Sequence, residues 1–305
     1  MNTATCPKPA TASLPFVPRA SLPLLFILLW STGYPAGKLG LAHAGPLTLL
    51  SLRFGLAALL LLLVALLTRA PWPRRWQDWG HLAVVGALIQ GLHFVGVYEG
   101  IHLGLPAGVA ALLIGLMPLA TAFGARWFLG EQMGGSQLMA LLGGLAGVGL
   151  VVASRPMHGA ALASYVAALL GLCGLVLGTL YQKRFCVHMD LRSGASVQMS
   201  VAALLVASAA GPVEHFAVEW NAELLGAVLW MAVINAIAAF SLMFMLIRRG
   251  QASAVARLFF LIPGVSALMG LVLLGERLSP LAVAGFVVAA LAVSGAQRAV
   301  AAPAN

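Results

Sequence analysis

Long apolar runs separated by short polar turns constrain this chain more than any motif in it. Runs cover residues 22–42, 46–67, 79–101, 105–128, 136–153, 160–182, 194–211, 223–247, 252–274 and 280–297. A helix needs about 20 mostly apolar residues to cross the hydrocarbon core of a bilayer. The pattern therefore predicts an all-α polytopic membrane protein with ten transmembrane helices. A transmembrane barrel would show shorter, alternating segments. Composition closes the other routes: 61% of residues are hydrophobic and 8% are charged, against roughly 25% charged in soluble domains. Too few charges exist to cover a water-facing surface. This excludes a soluble enzyme, a nucleic-acid binder and a disordered chain. No connection is long enough to form a soluble domain.

The net charge of +9 sits mainly between the apolar runs, so it reads as topology. With the N-terminus inside, the inner segments hold Lys8, Arg19, Arg69, Arg74, Arg75, Arg126, Lys183, Arg184, Arg192, Arg248, Arg249 and Arg298. The outer ends hold only Lys38, Arg155 and Arg277, and Arg53 and Arg257 lie within runs. An excess of Lys and Arg marks cytoplasmic loops, so both termini are expected in the cytoplasm. The acidic loop 212–222, with Glu214 and Glu219, then falls outside. Residues 1–20 read as a flexible cytoplasmic tail rather than a removed signal peptide, and 299–305 as a second tail. Cys6, Cys173 and Cys186 have no metal-ligand spacing, and Cys173 reads as a small packed apolar residue. No metal or cofactor is expected.

Shifted by 145 residues, the chain matches itself without a gap. Lys38 falls on Lys183, Ala107 on Ala252, Ala111 on Ala256, Pro118 on Pro263, and Leu129-Gly130-Glu131 on Leu274-Gly275-Glu276. The halves, 21–155 and 156–298, are expected to be five-helix copies. Five is odd, so the second copy starts from the opposite face and the repeats are inverted. Inverted repeats around a midplane cavity are a route to alternating access.

The residues that carry a family resemblance are Leu29-Trp30-Ser31 followed by Lys38, Pro46 with Leu52-Arg53-Phe54, and Ala110-Ala111-Leu112-Leu113 with Pro118 and Leu129-Gly130-Glu131. Leu261-Ile262-Pro263 and Leu274-Gly275-Glu276-Arg277-Leu278 complete the set. Over about residues 20–298 the chain resembles an EamA-type, ten-helix member of the drug/metabolite transporter superfamily. The resemblance implies a carrier, usually an exporter of amino acids, other metabolites or toxic compounds. Two positions depart from that pattern: Arg257 stands where the family often has a small polar residue, and Gly264 where it often has a second proline.

Polar groups at membrane depth need a reason, because an ionisable one costs about 2.5–3.5 kcal/mol to insert. Arg53 matches the family pattern and is expected to play a structural role, pairing with backbone carbonyls or a carboxylate, with a direct substrate contact as the lesser alternative. Lys38 and Lys183 end helices and are expected to snorkel. Arg257 either snorkels beside Arg248 and Arg249 or lines a cavity and captures a carboxylate or phosphate. Glu99, read as the sole acid within a span, either couples protons or neutralises Arg53. Gln90 and Asn235 are repeat equivalents near mid-span, placed to orient a substrate or to tie helices together. Gln90 and Glu99 are nine residues apart, about 180° around an ideal helix, so Gln90 and His93 are expected to face the cavity and Glu99 to pack elsewhere. Trp30, Tyr34 and Lys38 recur every four residues as one stripe, whose aromatics either pack in the core or stack on an organic substrate. Pro118 and Pro263 are expected hinges. Gly143 and Gly147 form a face for packing on another helix.

The leading expectation is a secondary carrier exporting small polar metabolites or amino acids. The chain lacks a nucleotide-binding loop, and no paired catalytic motif supports an intramembrane enzyme. Exporters of toxic compounds and a non-transporting membrane sensor are the alternatives. The expected partners are a small-molecule substrate and the lipid bilayer, without nucleic acid, the chain acting as a monomer or homodimer. The short loops point to a bacterial inner membrane.

Overall fold

The computed structural model describes residues 21–128, 130, 135–154, 160–239, 242, 261–276 and 279–301. The described residues are almost all helical, and their only extended pairing is an isolated bridge between Ala44 and Val218. In chain order the helices are α1 (Leu22–Ser31), α2 (Gly33–Leu41), α3 (Pro46–Leu67), α4 (Trp76–Val85), α5 (His93–His102), α6 (Ala107–Gly115), α7 (Met117–Phe128), α8 (Gly135–Ala153), α9 (Ala160–Phe185), α10 (Leu191–Glu214), α11 (Ala222–Leu229), α12 (Ile262–Leu274) and α13 (Pro280–Ala301). Two π-helical segments join them: Gly86–Leu92 links α4 to α5, and Trp230–Ala239 follows α11. Among the described residues, six helical stretches are long and apolar enough to cross a membrane: Pro46–Leu67, Trp76–His102, Ala107–Phe128, Leu162–Phe185, Leu191–Glu214 and Ala222–Ala239. Leu142–Val151, Ile262–Leu274 and Pro280–Ala292 are shorter apolar helical stretches.

Ends and breaks follow local chemistry. Pro46 stands in the first turn of α3, where its missing N–H costs nothing. Asp190 caps α10 by accepting from the Arg192 amide at 2.9 Å, so the helix starts earlier than hydropathy alone indicates. The Arg192 side chain beside it holds the Asp190 carboxyl below the usual carboxylate range. The first apolar run is broken at Thr32 into α1 and α2, and the fourth at Leu116 into α6 and α7.

The pairing of helices relates the two halves. α3 packs on α10 and α8 on α13, each meeting the equivalent helix of the other repeat, while α6 packs on α12, the equivalent of its neighbour α7. α5 packs on α9, while α1 and α2 pack on α11 and the second π segment. Exchanging the two halves turns one of those last pairings into the other, so the whole pattern is that of an internal two-fold. Small residues let these backbones approach. A Cβ on Gly96 would come within 2.5 Å of the Ala167 carbonyl, and one on Gly147 within 2.6 Å of the Gly285 carbonyl. Gly143 and Gly147 thus pack on α13.

The core holds Leu49, Leu50, Phe54, Tyr98, Leu113, Leu224 and Met231. Outside it, Leu59, Leu63, Leu66, Leu67, Leu204, Val272, Leu273 and Leu291 are exposed, far more apolar surface than a water-soluble monomer shows. Cys173 belongs to this outer face, not to the interior. In a bilayer an apolar side chain is satisfied on either side, so its character does not predict burial.

One end of the bundle is tied by carboxylates. Glu214 accepts from the amides of Leu47 and Thr48 at 2.9 and 2.7 Å, and from the Thr48 hydroxyl. His43 meets Glu223 at 3.0 Å and the Asn221 amide at 2.8 Å. At the opposite end Ser193 donates to the Pro71 carbonyl, Arg192 to Thr68 and Arg184 to Phe128.

Candidate substrate site between the two repeats

Both π-helical segments occupy the same place in their repeats, and each presents an amide inward. Gln90 lies in Gly86–Leu92 and Asn235, its equivalent 145 residues on, in Trp230–Ala239. Their exposures are 5% and 7%. A π-helical turn re-aims side chains within an otherwise α-helical run and is found frequently at functional sites. Gly86 permits the first one, since a Cβ there would lie 2.6 Å from the Gln198 carbonyl.

The Asn235 amide donates to the Leu29 carbonyl at 2.7 Å, a carbonyl beside the break between α1 and α2. Thr32 also donates to Leu29, and Trp230 donates to the Thr32 hydroxyl at 2.8 Å. The break is therefore secured from the other repeat, as non-helical backbone at membrane depth requires. The Oδ1 of Asn235 and the Oε1 of Gln90 are buried without a hydrogen bond, as is the Ser31 hydroxyl. A buried polar atom left unpaired costs about 1–3 kcal/mol, so a pair of them at equivalent positions calls for an explanation.

Arg53, on α3, is 3% exposed. Its Nη1 donates to the Tyr98 hydroxyl at 3.0 Å, and its guanidinium carbon lies 4.1 Å from the centre of the Phe94 ring. The Tyr98 hydroxyl has the Gly33 carbonyl at 3.3 Å and the Met231 sulfur at 3.0 Å as acceptors. The expected carbonyl or carboxylate partner of Arg53 is not found among the described residues: a phenol and three rings hold it instead. Glu99 does not neutralise it. Glu99 is half-buried near the end of α5, and no ion pair joins it to Arg53. The nearest ring provides what a carbonyl would, a negative face turned to the cation.

His93 is buried, with Nδ1 3.1 Å from the Gly171 carbonyl and its ring 4.6 Å from that of Phe94. Trp30 and Tyr34 do not form one straight stripe, because Thr32 separates α1 from α2. Trp30 packs on Phe26, with ring centres 5.5 Å apart, and Tyr34 joins the central core to the cluster around Phe26. Pro118 and Pro263 stand in the first turns of α7 and α12 rather than in helix interiors. A Cβ on Gly115 would meet Pro263 at 2.7 Å, so the break before α7 abuts the start of its equivalent. Arg257 lies outside the described residues. Among the described residues no group of three His, Cys, Asp or Glu is placed to hold a metal.

Lys38 does not snorkel. It pairs with Glu276, whose carboxylate also accepts from the Ala107 amide at the start of α6 at 3.0 Å. Gly275, left-handed at φ 62°, ends α12 and turns Glu276 back. Glu99 is therefore not the sole acid held within the helical bundle. The signal was the repeated Leu-Gly-Glu, whose glycine marks a helix end. Tyr98 and Phe94 follow Gln90 at four-residue steps, the one regularity that pointed to them.

Two halves of one pattern, with buried amides at equivalent positions in both, invite comparison with known proteins. The pattern of the EamA-like transporter family matches residues 20–153 and again 162–296. The chain belongs to the EamA-like transporter family. It is a multi-pass membrane protein of a transporter family, not of an enzyme family. Among EamA-like relatives, an uncharacterized transporter, YvbV, of Bacillus subtilis (strain 168) is 27% identical over 89% of each chain. A probable amino-acid metabolite efflux pump of Escherichia coli (strain K12) is 24% identical over 87% of this chain and 90% of its own. The uncharacterized inner membrane transporter YedA of the same organism is 26% identical over 86% of each. A crystal structure aligns over 93% of this chain and all of its own with a TM-score of 0.66 at 21% identity, a likeness of fold.

Proposed function

We propose that this EamA-like protein is a secondary exporter of amino acids or similar small polar metabolites in a bacterial inner membrane. In this reading ten helices form two inverted five-helix repeats with both termini in the cytoplasm. The observation that carries it is the pair of buried amides, Gln90 and Asn235, on equivalent π-helical segments, each with an oxygen that meets no hydrogen-bond donor. A carrier needs polar groups at mid-depth that exchange protein partners for a substrate, and an oxygen with no protein partner is ready to do so. The relative named as an amino-acid metabolite efflux pump supports the direction and the class.

Alternating access follows from the two-fold. The Lys38 end is closed by the pair with Glu276 and the two carboxylate caps, so opening there breaks those contacts while the other end closes. Pro118 and Pro263 begin helices at equivalent breaks and serve as the flexible points. Trp30 and Tyr34 border the path, His93 orients α5 on α9, and Arg257 remains a proposed contact near the opposite mouth.

The test is export. Cells producing the protein, and cells producing Gln90→Ala with Asn235→Ala, are compared by mass spectrometry of the medium. The expected result is one or more small polar metabolites, about tenfold above the double variant (an arithmetic of 1.4 kcal/mol per decade). Equal export by both removes the amides from the site. No accumulation by the wild type above an empty host contradicts the exporter reading.

A further inference from the structure

Arg53 is a buried cation whose hydrogen-bonding capacity is largely unused. Nη1 donates to Tyr98, while Nε is buried and meets no acceptor. No Asp or Glu among the described residues lies within ion-pair distance of it. Phe94, Phe54 and Tyr98 place their ring centres 4.1, 5.5 and 5.8 Å from the guanidinium carbon. Rings turn partial negative charge to a cation but accept no directed hydrogen bond from Nε. Intramembrane cations pair with acids, bond to backbone carbonyls or mark a substrate path. Among the described residues Arg53 has neither of the first two.

The unused part has a shape. With Nη1 committed to Tyr98, Nε is left without an acceptor, and it lies on the Nε–Nη2 edge, the one that takes both oxygens of a carboxylate side-on. The same region holds the opposite need. Asn235 Oδ1 is an unpaired acceptor. It connects to Arg53 through short steps: Tyr98, which takes the Nη1 hydrogen bond, touches the Gly33 carbonyl, and a Cβ on Gly33 would lie 3.6 Å from Asn235 Oδ1. A donor without an acceptor and an acceptor without a donor stand on one cluster where α2, α3, α5 and the second π segment converge.

We propose that Arg53 is the receptor for the substrate carboxylate, and that the Asn235 amide oxygen receives the ammonium group of the same molecule. The proposal rests on the transport reading and narrows it to molecules carrying a free carboxylate. The aromatic walls hold the guanidinium in one orientation, so the fork is set before the substrate arrives.

Binding to the detergent-purified full chain tests this through thermal unfolding. The probes are the common L-amino acids at millimolar concentration, each beside its α-carboxamide, which keeps the side chain and ammonium but removes the negative charge. At least one acid is expected to raise the melting temperature, and its carboxamide to have no effect. Arg53→Lys keeps the charge without the fork and is expected to raise the half-saturating concentration about tenfold or more. Arg53→Gln is expected to abolish the response. A purely structural Arg53 would shift the melting temperature with and without ligand alike and leave acid and carboxamide equivalent. A carboxamide as effective as its acid overturns the proposal, and so does an unchanged response in Arg53→Gln or the absence of a response to any acid. If Arg53→Gln does not fold, the acid–carboxamide comparison on the unaltered protein decides. Export of molecules lacking a carboxylate overturns this proposal while leaving the exporter standing; no export by the wild type defeats the exporter reading itself.

Discussion

Glu276 and Arg53 share a difficulty, that of placing a charge inside a bundle made mostly of Leu, Ala and Gly, and they meet it differently. Glu276 reaches a cation, Lys38, and a helix N-terminus, Ala107, where the partial positive charge of unpaired amides favours a carboxylate. Arg53 reaches a phenol and aromatic faces. Neither partner was legible in the sequence. Lys38 and Glu276 are 238 residues apart, and nothing local to either states which chain end will meet which. Glu276→Gln keeps the shape and the amide contact but leaves Lys38 without its counter-charge. It is expected to destabilise the protein by about 1–3 kcal/mol, read as a lower melting temperature in detergent. Lys38→Met in the Glu276→Gln background is expected to recover part of the loss, because both charges are then gone. If Glu276→Gln melts like the wild type, the pair contributes nothing to closing that end.

Helices here are fitted to one another by what is missing from their surfaces. Gly147 and Gly149 are two residues apart on α8, yet a Cβ on the first would strike the Gly285 carbonyl and the Ala289 amide, while a Cβ on the second would meet nothing within 4 Å. Gly147→Val is therefore expected to force α13 outward, costing about 1–3 kcal/mol in overpacking, with reduced folded yield. Gly149→Ala is expected to be neutral or slightly stabilising, since it removes backbone freedom from the unfolded chain. Size-exclusion profile and melting temperature of the two variants make the comparison, and equal behaviour would mean that α8 and α13 are not packed this closely. The small-residue face was readable at Gly143 and Gly147 from its spacing; its partner had to come from the fold. The π-helical segments were not readable at all. They follow from how α4 and α5 must turn to lie against α9 and α10 together, a requirement set by neighbours rather than by local propensity. They also alter the angle between Gln90 and Glu99 that an ideal helix would impose.

Charge sorts by end across the whole molecule. Arg69, Arg74, Arg75, Lys183, Arg184 and Arg192 gather at the end where Thr68, Pro71 and Phe128 meet α9 and α10, while Glu214, Glu219, Glu223 and Glu276 gather at the other. If the basic end is cytoplasmic, a cysteine replacing Trp220, which is exposed at the acidic end, is expected to react with a membrane-impermeant maleimide in intact cells. One replacing Trp76, exposed at the basic end, is expected to react only after permeabilisation. The reverse pattern would turn the molecule over. What the sequence determined by itself was what counting and period set: a membrane class from long apolar runs, two copies from a 145-residue register, and the equivalence of Gln90 and Asn235 within it. These are properties of the chain laid out in order, and the bilayer acts on them run by run. Only the tertiary structure decided which helices touch, where π turns replace α turns, and which polar atoms find partners. Those outcomes depend on residues far apart in the chain meeting at distances of a few ångströms, and in a solvent where every face is apolar, hydrophobicity does not choose the neighbours. Close fit and hydrogen-bond satisfaction choose them, and both exist only once the helices have come together.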